Sequence, residues 1–170
     1  KPMDIINEGL VPGLNIVGEK YENGQYYLPQ LMLSGEAAQL AFDYLENKLA
    51  DDSNYSKGTI VIGTVKGDIH DIGKNMVAVM LKNHGYQVID LGKNVSPEKF
   101  LEVAKKENAD FVALSALMTT TMSEIPDTIE HIRGQLPDIK VIVGGAVVTE
   151  DFAQEAKADG YGRDAIAAVK

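Results

Sequence analysis

Apolar and polar positions follow two different rhythms along the chain. To about Ala50 the spacing is helical: Ile6, Leu10, Leu14 and Val17 share one face. After a turn at Glu22-Asn23-Gly24, a second and longer stripe runs through Leu31, Ala38, Phe42, Leu45 and Leu49. Pro29 suits the first turn of that helix, where its missing N–H costs nothing. Two helices alone make a poor domain, so their faces are expected to need further helices or the following domain. Asp51-Asp52-Ser53-Asn54-Tyr55-Ser56-Lys57-Gly58 is polar and rich in turn formers, and reads as a linker over 51–58.

From Thr59 the texture changes to alternating strand and helix patterns. Strands are predicted at Thr59–Gly63, an apolar run that reads as buried, and at Tyr86–Asp90, Ala109–Leu114 and Ile139–Val143. A weaker fifth falls near Asp159–Tyr161. Helices are predicted at Ile72–His84, Pro97–Asn108, Ser123–Leu136 and Thr149–Lys157, with the start of a last one beyond. Ser96-Pro97-Glu98 is a good helix start, with a serine cap and proline at the first helical position. Ile125, Ile129, Ile132 and Leu136 hold one face of the third of these helices. The alternation implies an α/β fold over 59–170: a doubly wound, five-stranded parallel sheet of the Rossmann-like (flavodoxin-like) class with right-handed crossovers. The first residues read as mid-helix and Ala165 to Lys170 as an unfinished helix, so pieces are expected to be missing at both ends.

Composition narrows the function classes. A length of 170 residues suits one domain with a substantial appendage, or two small units. The formal net charge of -9 argues against nucleic acid or an anionic membrane as partner, since both reward a basic face. The chain has no cysteine, which excludes disulfides, thiolate metal sites, Cys nucleophiles and iron–sulfur ligation from its own side chains, and fits a cytoplasmic setting. No apolar run approaches membrane-spanning length, and Lys1-Pro2-Met3-Asp4 is no signal peptide.

Candidate chemistry gathers in the loop after the first predicted strand, Gly67-Asp68-Ile69-His70-Asp71-Ile72-Gly73-Lys74-Asn75. Such a loop lies at the carboxyl edge of a parallel sheet, where open α/β folds bind ligands. Its D-x-H-x-x-G pattern offers an imidazole as a metal ligand, held in one tautomer by a carboxylate. The alternative stays open that Asp68 or Asp71 caps the helix, Gly73 eases close packing and His70 is merely polar. His84, followed by Gly85 at a helix end, reads as structural, and His131, between Glu130 and Arg133, as solvated. His70 has no companion His or Cys for a zinc site. A lone imidazole suggests an axial ligand to a metal whose other ligands come from a macrocycle. Two more loops reach the same edge. Ser115-Ala116-Leu117-Met118-Thr119-Thr120-Thr121 is rich in hydroxyls, and Gly144-Gly145-Ala146 leaves backbone bare for close approach. The G-x-G-x-x-G spacing for phosphate is missing from the first loop.

Together these loops resemble the cobalamin-binding motif of corrinoid proteins. Asp68-x-His70-x-x-Gly73 is followed after 41 residues by Ser115-x-Leu117, and after a further 26 by Gly144-Gly145, the family's usual intervals. Gly13-Leu14-Asn15-Ile16-Val17-Gly18-Glu19-Lys20-Tyr21, with Gly24-Gln25-Tyr26-Tyr27-Leu28-Pro29-Gln30-Leu31, is similar to the helical cap of methionine synthase and of corrinoid proteins serving methyltransferases. The family's cap is a four-helix bundle, of which residues 1–50 resemble the second half. The resemblance implies a cobalamin or related cobamide cofactor, with His70 replacing its nucleotide base as lower ligand to cobalt. Asp68 would accept the other ring N–H, and Thr121 stands where methionine synthase has the serine that completes the relay. Ser115 would contact the displaced base, and Leu117, Gly144 and Gly145 would line the slot for the tail. Asp71, Ile72, Thr119 and Ala146 flank those positions and are counted with the site. Tyr21 and Leu28 would cover the upper corrin face, although the family more often has Phe at the first.

The implied function is a methyl-carrier subunit of a multicomponent methyltransferase system, cycling Co(I) and methyl-Co(III) and catalysing nothing alone on a free substrate. Its partners would be a substrate-specific methyltransferase, a second methyltransferase passing the methyl group to a thiol or folate acceptor, and a reductive activase. Methanol, methylamines, glycine betaine and methoxylated aromatics all remain open as donors. Three other readings stand beside it. A mutase module shares D-x-H-x-x-G but lacks such a cap. A cobalamin-dependent light-sensing regulator would add a DNA-binding domain, and often a Trp-bearing cap, whereas this chain has no Trp. The last is a flavodoxin-like module with no corrinoid.

Overall fold

The computed structural model describes residues 2–49, 57–163 and 167–169. The chain divides into two compact units, Lys1–Asp52 and Ser53–Lys170. Most of the expected 51–58 linker lies outside the described residues. Lys57 and Gly58 are already tied beside the sheet, by the Lys57 N–H to the Gly85 carbonyl (2.6 Å) and the Gln87 N–H to the Gly58 carbonyl (2.9 Å).

In the first unit α1 (Pro2–Ile5) passes through a π-helical stretch, Ile6–Leu10, into α2 (Val11–Glu22). The periodicity predicts an unbroken helix here, and the break has a local cause. Pro12 has no N–H to give to the carbonyl four residues back, so the ladder is interrupted where the turn widens. A short turn, in which the Gln25 and Tyr26 N–H groups both reach the Lys20 carbonyl, leads to α3 (Leu28–Leu49). Ile6, Ala38 and Leu45 are buried, as their stripes require. The side chains of Leu28, Leu31, Phe42 and Leu49 lie outside the described ones.

The second unit is an α/β sandwich of the expected class. Its strands are β1 (Thr59–Thr64), β2 (Gln87–Asp90), β3 (Phe111–Ser115), β4 (Lys140–Gly144) and β5 (Gly160–Gly162), all parallel in the order β2-β1-β3-β4-β5. Between them run α4 (Ile72–Asn83), α5 (Pro97–Lys106), α6 (Glu124–Arg133) and α7 (Glu150–Glu155). Ser96 caps α5 by accepting the Lys99 N–H, with Pro97 opening the helix, as predicted. In place of the last helix, the described residues form a single 3-10 turn, Ala167–Val169.

Each inner strand runs one residue beyond its apolar run. Thr64 pairs with Ser115, and Ser115 with Gly144, so the ladder carries small and hydroxyl residues to the carboxyl edge. Successive side chains alternate between the faces. Ile60, Ile62 and Ala113 pack under α4 with Ala78 and Leu81, while Val61, Val112, Leu114, Val141 and Val143 meet α5 and α6 on the other side. Phe100, fully buried on α5, needs the glycine opposite it, since a Cβ at Gly63 would stand 2.7 Å from its ring. The chain winds outward from β1 to β2 and then returns to β3 on the other flank of β1. That reversal opens a crevice between the carboxyl ends of β1 and β3, the place where such sheets bind ligands. Among the described residues, no helix is long and apolar enough to cross a membrane.

Candidate functional site

The loops after β1 and β3 meet at that crevice, and Asp68 is the point where they join. Its side chain is fully buried. One carboxylate oxygen accepts the backbone N–H of His70 (3.0 Å) and faces His70 Nδ1 at 2.8 Å. The other accepts the Leu117 N–H (2.7 Å), the Met118 N–H (3.2 Å) and the Thr121 hydroxyl (2.8 Å). Burial pushes this carboxyl up, but the Leu117 and His70 N–H groups, the imidazole and the Thr121 hydroxyl outweigh it and hold it at about 2. Asp68 is therefore ionised at neutral pH and can only accept, which makes His70 Nδ1 the donor. In the neutral ring Nε2 is then the lone-pair nitrogen, on a side chain 49% exposed.

The helix-capping alternative fails on this geometry. Asp71 occupies the N-cap of α4 with no side-chain cap bond, and Asp68 turns to the β3 loop instead. Gly73 does not serve packing either, since a Cβ there would meet nothing within 4 Å. His84, by contrast, is structural as read, its Nδ1 on the Met80 carbonyl at 2.7 Å.

The remaining predicted residues fall into five groups. Ser115, buried at the end of β3, Leu117 and Thr121 share the crevice with Asp68 and His70. Asp71 and Ile72, both half-buried, start α4 beside Gly73. Gly144 and Gly145 crowd the neighbouring strand end. A Cβ on Gly144 would lie 2.7 Å from the Gly162 carbonyl oxygen, and one on Gly145, at φ +122°, would collide with the Ala116 carbonyl. Thr119 and Ala146 are exposed, outside the Asp68 hydrogen-bond cluster. Tyr21 is exposed on α2 in the other unit, as Leu28 opens α3 there.

Sequence reasoning missed the supports around this cluster. Lys74, almost wholly buried, places its ammonium on both oxygens of Asp90 (2.6 and 2.5 Å) and on Asn75 Oδ1 (2.5 Å), tying α4 to the end of β2. A carboxylate closing the run Gln87-Val88-Ile89-Asp90 was its only sequence signal. Asn94, in the left-handed conformation at φ +55°, accepts the Gly67 N–H (2.8 Å) and gives its own N–H to the Asp68 carbonyl (3.0 Å).

Among the described residues, no three His, Asp or Glu side chains could together hold a metal ion. His70 Nε2 is the ring nitrogen of the Asp68 cluster that is left without the carboxylate contact. The fold is that of a flavodoxin-like domain with its crevice at the carboxyl ends of β1 and β3. The chain belongs to the B12-binding family: residues 58–170 match its B12 binding domain model, and residues 1–46 match a second B12 binding domain model. Dimethylamine corrinoid protein 1 of Methanosarcina acetivorans is 42% identical, over 99% of this chain and 80% of that protein. A corrinoid protein of Desulfitobacterium hafniense is 41% identical over the same shares. Among solved structures, the monomethylamine corrinoid protein of Methanosarcina barkeri superposes with a TM-score of 0.85 at 36% identity, covering 99% of this chain and 81% of that one. The methanol:cobalamin methyltransferase complex MtaBC of the same organism matches with a TM-score of 0.60 at 34% identity, over 99% of this chain and 65% of that one. The cofactor of this family is a cobalamin-type corrinoid.

Proposed function

We propose that this chain is the methyl-carrying corrinoid subunit of a methyltransferase system of the methylamine kind, with His70 as the lower axial ligand to cobalt. One observation carries the reading: an imidazole whose Nδ1 proton is fixed on a buried, ionised carboxylate, which frees Nε2 to coordinate. When bound, the corrinoid supplies a cobalt that moves between the Co(I) and Co(III) levels as a methyl group leaves and arrives. The chain's own residues tune that exchange. Asp68 holds the Nδ1 proton and so fixes the ring's orientation and leaves Nε2 as the nitrogen that faces a ligand. The Thr121 hydroxyl lies within reach of both Asp68 Oδ2 (2.8 Å) and the Met118 carbonyl (2.9 Å). Its single proton serves one at a time, so it can strengthen or release its hold on the carboxylate.

In this reading Ser115, Leu117, Thr119, Gly144, Gly145 and Ala146 line the slot for the displaced base and tail, and Asp71, Ile72 and Gly73 flank it. Residues 1–50 form a cap whose Tyr21 and Leu28 shield the upper face, 51–58 a linker that lets it swing, and 59–170 the binding domain. The names of the relatives support an assembly with a substrate-specific methyltransferase. A second methyltransferase, with a thiol or folate acceptor, and a reductive activase would complete the cycle in the cytoplasm.

The test is the visible spectrum of the protein after anaerobic loading with hydroxocobalamin and removal of free cofactor. His70→Ala is expected to convert a retained, His-coordinated spectrum to the base-off aquo form. An identical spectrum in the variant would remove His70 from the cobalt.

A further inference from the structure

A fully buried hydroxyl at the end of an apolar strand needs a reason. β1 reads Thr59-Ile60-Val61-Ile62-Gly63-Thr64, and Val65 follows it, also fully buried. A valine would satisfy the strand at position 64 as well as threonine does. The hydroxyl's partner is the backbone carbonyl of His70, six residues on, at 3.0 Å. Thr128, the other fully buried threonine of this unit away from the crevice, bonds back to Glu124 within its own helix. That is the ordinary local way for a buried threonine to satisfy itself. Thr64 instead reaches across the loop.

Its own position is fixed from three sides. The Thr64 N–H bonds the Gly92 carbonyl (2.9 Å), its carbonyl accepts the Val95 N–H (3.0 Å), and it pairs with Ser115 across the sheet. The bond therefore anchors the His70 carbonyl to the rigid end of the sheet. The His70 N–H is anchored separately to Asp68. With both flanking peptide groups held, the His70 Cα is fixed, and the Nδ1 contact to Asp68 then sets the plane of the ring.

We infer that Thr64 is a positioning residue for the His70 imidazole, its hydroxyl clasping the His70 carbonyl so that Nε2 is presented to a metal without rearrangement of the loop. The inference rests on the reading of His70 as the cobalt ligand. A neutral hydrogen bond of this kind alters an equilibrium by about two- to tenfold.

The full chain is loaded with hydroxocobalamin and reduced to Co(II). The nitrogen splitting of its electron paramagnetic resonance then gives the ratio of His-on to His-off cobalt. Thr64→Val, isosteric but without a donor, is expected to lower that ratio about two- to tenfold. Thr64→Ser is expected to restore it to the wild-type range, and the cofactor-free variants to melt within a few degrees of each other. Should Thr64→Val not fold, Thr64→Ala against Thr64→Ser makes the same comparison. A wild-type ratio in the donor-less variant, with the splitting lost in His70→Ala, overturns the inference and leaves the ligand assignment standing. An equal fall in the serine and valine variants also overturns it, because the hydroxyl kept by serine would then not be enough to hold the ring. Splitting that survives in His70→Ala sinks both.

Discussion

Asp159, one residue before β5, and Asp68, in the loop after β1, sit at opposite edges of the same sheet and meet different partners. Asp159 accepts the Val141 N–H (2.8 Å) and pairs with Arg133 (2.6 Å) and Lys140 (3.2 Å). Burial pushes its carboxyl up, and the Val141 N–H with the two cations brings it back below the usual carboxylate range. Its charge is neutralised in place, and it staples the starts of β4 and β5 to the end of α6. Asp68 is held by three backbone N–H groups, a hydroxyl and an imidazole. Those donors are dipoles, not cations, so the carboxylate's field remains available to polarise the ring beside it. The difference teaches that a carboxylate's partners, more than its burial, decide whether it acts as a fastener or as a tuning group.

Asp90 separates position from partner, because it lies at the carboxyl edge like Asp68 but is paired with an ammonium like Asp159. Asp90→Ala removes the counter-charge of the Lys74 ammonium, 1% exposed, and is expected to cost about 3 kcal/mol in urea unfolding. Lys74→Met should cost less, because Asp90 is 32% exposed and can rehydrate. Asp68→Asn keeps the shape and removes the charge. It is expected to weaken His coordination about 10- to 100-fold, read from the Co(II) spectrum, with the fold retained.

Acid sharpens the same contrast. Asp68 titrates near 2 in the folded chain against about 3.9 unfolded, so its contribution is fully present above pH ~4 and is lost as pH falls towards 2. The stability gap between wild type and Asp68→Asn should therefore shrink by on the order of 2 kcal/mol between pH 6 and pH 2, as roughly that shift implies. The smallest effect belongs to Asp159→Asn. A loss of about 1 kcal/mol or less is expected, with the corrinoid spectrum unchanged.

Much of this arrangement was legible in the chain. The strand and helix alternation gave the sheet class because each buried strand is a short apolar run and each helix keeps a clean stripe. His70, Asp68 and Gly73 stood out because the loop between a buried strand and an amphipathic helix has one place in such a fold. The three strands that reach Thr64, Ser115 and Gly144 each run one residue past their predicted ends, since apolarity stops one residue before the hydrogen-bond ladder does. What stayed hidden depends on contacts distant in sequence. The Leu117 and Met118 N–H groups on Asp68 are backbone donors, which no side-chain pattern records. Lys74 reads as an ordinary polar helix residue until its partner sixteen positions away is brought beside it. The widened turn at Ile6–Leu10 follows from one proline's missing donor, a signal weaker than the apolar periodicity that runs through it.

Gly145 carries a consequence for the gene. Every single-base change in a glycine codon that substitutes another amino acid brings in a Cβ, and at this position that atom lands on the Ala116 carbonyl. No one-step neighbour in the genetic code can replace it without pushing β3 and β4 apart at their ends. A random-mutagenesis library built by point errors and sorted for stable protein is expected to be depleted of every non-synonymous spelling of this codon.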